Sequence, residues 1–287
     1  MNDMLLKDKK LVGISATALV IFILTFYPVL KSLILTWYNN EDYSHGFLII
    51  PISLYIIWEK RHILAQVPRK ASQLGLIFII LSLLIYVFAQ IMEIASLASL
   101  SMLLLLAAIV TYLQGFAMLK ALSFPLAFLI FMIPVPAQIY SALTINLQLF
   151  VTQASAWLTP FIGVSLYHEG NVIYLPHRTL QVVNACSGMR SVISLLALSA
   201  IIGYFYLRSN RLRSVLFLLG IPVAVVTNIV RVLVLIAAFH YFNTDLTAGT
   251  AHTVLGLVIF ALALALTILL MEVLKIWEKK FKKELSS

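Results

Sequence analysis

Three residues in the chain have side chains that are suited to covalent chemistry: Cys186, Arg231 and His252. Cys186 is the only cysteine among the 287 residues. A thiol reacts as its thiolate, which a nearby cation or a helix N-terminus favours. A histidine accepts and returns a proton, and a guanidinium stabilises a thiolate or a developing oxyanion. These residue types fit acyl transfer through a thioester if the fold brings them together.

The composition predicts an integral membrane protein. Apolar residues make up 62% of the chain and charged residues 11%, compared with roughly 45–50% apolar residues in soluble domains. Apolar runs long enough to cross about 30 Å of hydrocarbon occur repeatedly along the chain. We therefore expect an all-α, polytopic helical bundle that forms a single domain over residues 1–287, with a catalytic core at about 163–275.

The distribution of basic residues predicts the orientation of the chain. The formal charge is +9, but the basic clusters lie between apolar runs and form no aromatic-interleaved patch of the kind that binds nucleic acid. With both termini in the cytoplasm, sixteen of the twenty Lys and Arg residues lie inside, as the positive-inside rule requires. These basic residues fall within positions 7–10, 60–61, 69–70, 120, 208–213 and 275–283.

Hydropathy then predicts eight membrane spans. We place them at about 11–30, 45–58, 73–91, 94–113, 118–135, 186–207, 214–240 and 252–274. Residues 137–160 are apolar but contain several Gln and Asn residues, so we interpret them as an interfacial or re-entrant helix on the outer face. Residues 163–184 alternate apolar and polar side chains and predict a short extracytoplasmic loop resembling a β-hairpin.

This topology brings the three candidate residues to one depth. Arg231 lies roughly 25 Å above the cytoplasmic start of its helix, at 1.5 Å per residue. Cys186 and His252 each begin an inward helix at the same outer level. Asn184 is the predicted N-cap that places Cys186 in the first helical turn, where unpaired amides face the thiol.

Each of these residues also has a structural interpretation. A lone buried cysteine is more often a small inert hydrophobe than a nucleophile. A histidine at a helix start often serves as a cap, and an arginine near the end of a span often extends to the interface. The shared depth of the three residues favours the catalytic interpretation without excluding these alternatives.

Several further residues are candidates for supporting roles. Arg190 lies one helical turn after Cys186, where it either contacts a substrate carboxylate, supports the thiolate or pairs with Glu169. Asn228 precedes Arg231 by three residues and either orients it or joins two helices. His45 either lines the site or has a helix-end role. No spacing typical of metal ligands is present, so we expect neither a metal nor a cofactor.

Four separated motifs resemble the exosortase/archaeosortase family of multi-pass cysteine transpeptidases. In order they are "GNVIYLP", "VVNACSGMRS", "TNIVRV" and "AHTVLG", and the upstream "DYSHGFLIIPISLYIIWEKR" is similar to the N-terminal motif of that family. The resemblance covers residues 40 to 270. It implies Cys186 as nucleophile, His252 as acid/base and Arg231 as the third catalytic residue. Asn184 departs from the pattern, since many members carry Glu there.

The resemblance also implies a substrate class. The family acts on exported proteins with a C-terminal sorting signal of the PEP-CTERM kind, which consists of a short motif, a transmembrane helix and a basic tail. Two rival interpretations remain open. A transporter or flippase would use Arg231 and His252 to bind anions or relay protons, and a scaffold would need none of the three residues.

Overall fold

The computed structural model describes Gly13 and residues 17–175, 178–182, 188–247 and 249–284. Contacts divide the chain into two compact units, Met1–Pro136 and Ala137–Ser287. We describe each unit by itself. The single domain expected over residues 1–287 stays a prediction.

The first unit consists of helices, several of them short. They are α1 (Thr17–Thr25), α2 (Tyr27–Asn39), α3 (Gly46–Glu59), α4 (Arg61–Gln66), α5 (Leu74–Ile91), α6 (Ala95–Gln114), α7 (Phe116–Ala121) and α8 (Ser123–Phe128). Two 3-10 turns, Glu41–Tyr43 and Leu129–Met132, follow α2 and α8.

Helices α5 and α6 match the spans predicted at 73–91 and 94–113. They pack closely because Gly75 has no side chain: a Cβ atom there would lie 2.4 Å from the backbone nitrogen of Tyr112. Small residues that let helix backbones approach are typical of membrane helix pairs. The two long apolar runs thus form the regular part of the first unit.

The predicted spans 11–30 and 118–135 are not continuous helices, and proline explains both breaks. The chain bends by 63° between α1 and α2, where Pro28, the second residue of α2, has no N–H to donate to a preceding turn. Pro125 has no N–H to donate to Ala121, and its ring opposes that carbonyl, so α7 ends at Ala121. The span predicted at 45–58 forms α3, whose 14 residues cover only about 21 Å.

The second unit contains four longer helices and a small sheet. Its elements are α9 (Ala137–Leu158), a 3-10 turn (Thr159–Ile162), β1 (Tyr167–Glu169), β2 (Val172–Leu175), β3 (Arg178–Gln181), α10 (Met189–Tyr206), α11 (Asn210–Phe242) and α12 (Gly249–Glu284). The helix predicted at 137–160 is therefore present as α9.

The hairpin predicted at 163–184 is present and is extended by a third strand. The strands are antiparallel in the order β1-β2-β3. Gly170, with φ of 59°, opens the two-residue loop between β1 and β2, where such loops need a positive φ. One face of the sheet buries Ile173, Leu180 and Val182 in a core with apolar residues of α9 and α11.

Helices α10, α11 and α12 form a bundle behind this sheet. A Cβ atom at Gly220 of α11 would lie 2.9 Å from the Ser199 hydroxyl of α10, so these two helices also cross closely. At the far end of the bundle, the Glu278 carboxylate accepts hydrogen bonds from the backbone N–H groups of Arg208 and Ser209. This contact connects α12 to the start of α11.

Among the described residues, five helices are long and apolar enough to cross a membrane: α5, α6, α10, α11 and α12 up to Lys280. The number rises to seven if two helix pairs interrupted by short breaks each count as one span. The predicted all-α, polytopic membrane protein is confirmed. The predicted count of eight spans is not.

Candidate functional site

The structure brings Arg231 and His252 into direct contact. Arg231 projects from the middle of α11, and His252 lies in the first turn of α12. Arg231 Nη2 lies 2.9 Å from His252 Nε2. The two residues are 21 positions apart, and the connection from α11 back into α12 juxtaposes them.

The donor properties of arginine determine the tautomer of His252. A guanidinium carries only donors, so His252 Nε2 accepts the hydrogen bond with its lone pair. The proton of the neutral ring is then on Nδ1, which lies 3.3 Å from the carbonyl oxygen of Leu246. The Leu246 carbonyl lies in the loop between α11 and α12. In this loop the Asp245 carboxylate accepts a hydrogen bond from the Thr247 N–H at 2.8 Å.

Arg231 retains a donor that the described residues do not use. Its Nε is buried and has no hydrogen-bond partner among them. Gly256, one turn after His252, faces the guanidinium, since a Cβ atom there would lie 3.8 Å from Arg231 Nη2. A buried, unsatisfied donor in a native structure requires an explanation, and a ligand with an acceptor oxygen provides one.

Asn228 of α11 lies next to the start of α10. Its side chain is 3% exposed. Gly188 is the N-cap of α10 with φ of 65°, and a Cβ atom there would lie 2.6 Å from Asn228 Nδ2 and 3.1 Å from Leu147 Cδ2 of α9. Both the left-handed backbone and the lack of space require glycine at this position.

The third member of the predicted trio, Cys186, lies outside the described residues, as does Asn184. Among the described residues, α10 begins at Met189 with Gly188 as its N-cap. A residue with a left-handed φ does not continue a right-handed helix, so α10 starts directly after Gly188. That Asn184 is an N-cap and that Cys186 lies in the first helical turn both stay predictions.

The remaining candidates have distinct surroundings. Arg190 is exposed in the first turn of α10. His45 belongs to the first unit, where it precedes α3 and its Nε2 lies 3.2 Å from the carbonyl oxygen of Phe131. Among the described residues, no group of three or more His, Cys, Asp or Glu side chains forms a metal site.

Two features of this site were missed in the sequence. The first is Gly188, although a glycine directly before a long apolar run is itself a signal for a helix start with a positive φ. The second is the carbonyl of Leu246, for which the sequence offers no signal, because its direction depends on the loop conformation rather than on its side chain.

A family model of transmembrane exosortases matches residues 37–269, which is more than half of the chain. The chain belongs to the transmembrane exosortase family. The resemblance found over residues 40 to 270 is thereby confirmed. Comparison with curated proteins and with solved structures finds no match.

Family membership has general functional consequences. Exosortases are membrane proteases or transpeptidases that act on substrates with sorting signals. This exosortase is accordingly a multi-pass membrane protein with a transpeptidase role in general terms. The matched residues include the Arg231–His252 pair, Asn228 and Gly188.

Proposed function

We propose that this exosortase is a prokaryotic inner-membrane cysteine peptidase and transpeptidase. It cleaves the C-terminal sorting signal of exported proteins, which consists of a short motif, a transmembrane helix and a basic tail. Cys186 is the nucleophile, His252 the acid and base, and Arg231 the group that stabilises the oxyanion. The observation that carries the proposal is the 2.9 Å contact between Arg231 and His252.

Chain connectivity supports the assignment of Cys186. Consecutive Cα atoms are 3.8 Å apart, so the Cα of residue 186 lies within about 7.6 Å of that of Gly188. Gly188 packs against the Asn228 side chain, and Asn228 and Arg231 share one face of α11 at i and i+3. Position 186 precedes this contact by two residues in the sequence, which supports the assignment of Cys186 to the same site.

The first half of the reaction forms a thioester. The substrate carbonyl draws Arg231 away from His252 Nε2, whose lone pair then accepts the proton of the Cys186 thiol. The thiolate attacks the scissile carbonyl carbon, and Arg231 donates to the oxyanion that develops. Collapse of the tetrahedral intermediate breaks the C–N bond, and the leaving amine takes the proton from His252.

The second half transfers the acyl group. An acceptor amine or water attacks the thioester carbonyl and passes its proton to His252. Collapse of the tetrahedral intermediate breaks the C–S bond, and the proton returns from His252 to the Cys186 sulfur. The buried Nε of Arg231, which has no partner among the described residues, supports the role of this side chain in binding an oxygen of the substrate. Asn228 acts as a positioning residue between the start of α10 and Arg231, and Arg190 is placed to meet a substrate carboxylate.

The proposal includes an orientation. Both termini lie in the cytoplasm, and the site faces the extracytoplasmic side, where the substrate polypeptide emerges after export. The substrate's transmembrane tail docks laterally against the bundle and brings the scissile peptide to the site. The positive-inside distribution of Lys and Arg supports this orientation.

The decisive experiment replaces the nucleophile. Cys186→Ala should abolish cleavage of a reporter protein that ends in a sorting signal of the PEP-CTERM kind, while the membrane level of the exosortase stays near normal. Ser187→Ala is the matched control and should retain cleavage. In the wild-type protein, hydroxylamine should release the reporter fragment from a thioester.

The rival transporter function makes the opposite prediction. There, Arg231 and His252 handle an anion or a proton, so Cys186→Ala retains activity while Arg231→Ala loses it. Unchanged cleavage of the reporter by Cys186→Ala would exclude the thioester mechanism.

A further inference from the structure

Strand β3 lies at the edge of the three-stranded sheet and leads toward the proposed nucleophile. Among the described residues, it pairs with β2 and with no other strand. Its last residue, Gln181, is followed by Val182 and then by the segment 183–187, which carries Cys186. The sheet edge and the proposed site are therefore continuous along the chain.

The hydrogen-bond pattern shows which backbone groups this edge offers. The Val182 N–H donates to the Asn171 carbonyl at 2.9 Å, and Val172 is the partner of Gln181. Since hydrogen-bonded and non-hydrogen-bonded pairs alternate along an antiparallel ladder, Leu180 bonds to β2 and the residues on either side of it do not. The N–H and C=O groups of Thr179 and Gln181 thus point away from β2.

The two faces of the sheet differ in burial. Ile173, Leu180 and Val182 point into the core. Thr179 lies on the opposite face, which also carries the exposed side chains of Tyr167 and Tyr174. A fourth strand added to β3 would therefore have an open face on the side of Thr179, because side chains alternate between the faces.

We propose that the extended segment of the substrate next to the scissile bond binds to β3 as a fourth strand. This inference rests on the proposed function. Its ligand is a polypeptide backbone, whose N–H and C=O groups pair with those of Thr179 and Gln181. Such pairing holds a peptide extended and leads it along β3 toward Cys186. The main chain supplies the affinity, and alternate side chains of the substrate contact the exposed face.

A cross-linking experiment tests this placement without requiring cleavage. Cys186→Ala removes the only cysteine of the chain, so Thr179→Cys in that background introduces a single thiol at the sheet edge. The reporter protein carries one cysteine at each position in turn around its scissile motif. Neighbouring strands place facing Cα atoms about 5.5 Å apart, within the range of a disulfide.

The expected result is disulfide formation at alternate reporter positions. A strand has a period of two, so positions on the Thr179 side should cross-link and those between them should not. The matched control is Tyr167→Cys, an exposed position on β1. It lies about 14 Å from an added fourth strand, at three strand spacings of about 4.8 Å, and should give no cross-links.

Three outcomes would overturn the inference: cross-linking without a period of two, equal cross-linking from Tyr167→Cys, or a disulfide between two Thr179→Cys chains, which would make the edge a contact between copies. Failure of the proposed function is separately recognisable, because it would appear as cleavage of the reporter by Cys186→Ala. Loss of cleavage in that variant combined with no cross-linking would overturn the fourth strand alone.

A backbone substitution provides a second test. Thr179→Pro removes an N–H that points away from β2, at an edge position where proline is tolerated. We expect cleavage to fall about tenfold, the effect of one lost hydrogen bond. Thr179→Val retains the N–H and should cleave faster than Thr179→Pro. Cleavage by Thr179→Pro at the wild-type rate would contradict the pairing. If Thr179→Pro does not accumulate in the membrane, the cross-linking pattern alone tests the fourth strand.

Discussion

In the first unit, buried or half-buried polar side chains hydrogen-bond to backbone carbonyls, whereas Arg231 and His252 in the second unit hydrogen-bond to each other. The carbonyls of four such contacts belong to the interrupted segment after α7, whose prolines and 3-10 turn remove helical donors. The contacts are Ser53 to Pro125, His45 to Phe131, Trp37 to Met132 and Ser96 to Pro134. These side chains compensate for a broken helix.

The Arg231–His252 pair compensates for no broken backbone. Both residues lie within regular helices, and the guanidinium retains a buried Nε without a partner among the described residues. A polar side chain in an apolar helix is thus ambiguous by itself. Its partner separates the two cases, because a backbone carbonyl indicates structural compensation and a second titratable side chain with a spare donor indicates chemistry.

The largest effect that would test this comparison is expected for Arg231→Lys. The planar guanidinium offers a fixed fork of donors that can leave His252 Nε2 and hold a substrate oxygen, whereas a lysine ammonium is a compact, strongly hydrated charge. Cleavage of the reporter by equal amounts of folded protein should fall on the order of 10²–10³-fold, as when one oxyanion donor is removed.

The matched control is Arg213→Lys in the same helix. The Arg213 guanidinium donates to the backbone carbonyls of Leu207 and Tyr204, so its loss should affect stability rather than the rate of cleavage. If Arg231→Lys cleaves within a few-fold of wild type, Arg231 leaves the catalytic set and a Cys186–His252 dyad remains.

The next largest effect is expected for Gly188→Ala. The substitution forces an L residue into a left-handed conformation and places its Cβ 2.6 Å from Asn228 Nδ2. The backbone strain alone costs about 1–2 kcal/mol. We expect a lower melting temperature in detergent and cleavage reduced about tenfold or more, since each 1.4 kcal/mol is a factor of ten.

Two variants identify the cause of that effect. Gly256→Ala adds a methyl group at an ordinary contact distance of 3.8 Å from Arg231 Nη2 and should be nearly neutral. Combining Gly188→Ala with Asn228→Ala removes the conflict with Asn228 but neither the strain nor the 3.1 Å contact with Leu147, so it should recover part of the lost melting temperature. No recovery at all would show that Asn228 does not limit the space at Gly188.

The sequence predicted the regular parts of this molecule and missed the irregular ones. Long apolar runs identified α5, α6, α10, α11 and α12, because burial in hydrocarbon favours uninterrupted helices. Runs of similar hydropathy that contain Pro28 or Pro125 are broken, since hydropathy does not register a missing N–H. The contact of Arg231 with His252 followed from topology, whereas the left-handed Gly188 and the Leu246 carbonyl depend on local backbone conformation.

A smaller effect, on stability alone, is expected for His45→Ala in the first unit. It removes the 3.2 Å contact between His45 Nε2 and the half-buried Phe131 carbonyl, and loss of a partner at such a carbonyl costs about 1–3 kcal/mol. The melting temperature should fall, and His45→Gln, which retains a donor, should restore part of it. Cleavage per folded molecule should stay near wild type. Loss of cleavage without loss of stability would assign His45 to the site.

The smallest effect is expected for Glu278→Ala. This variant tests whether a structural role follows from a backbone hydrogen-bond partner or from membership of the first unit. Glu278 belongs to the second unit, but its carboxylate accepts from the backbone N–H groups of Arg208 and Ser209. If the hydrogen-bond partner is what matters, this variant should resemble His45→Ala, with lower stability and an unchanged cleavage rate. The free energy of unfolding should fall by about 0.5–1.5 kcal/mol. This loss is smaller than for a buried group because water replaces part of the interaction.

Glu272→Ala is the control, since its exposed contact with Lys275 contributes little. If Glu278→Ala lost most of its cleavage at normal stability, a backbone hydrogen-bond partner would not identify a structural residue in the second unit. The comparison between the two units would then be wrong for the second unit.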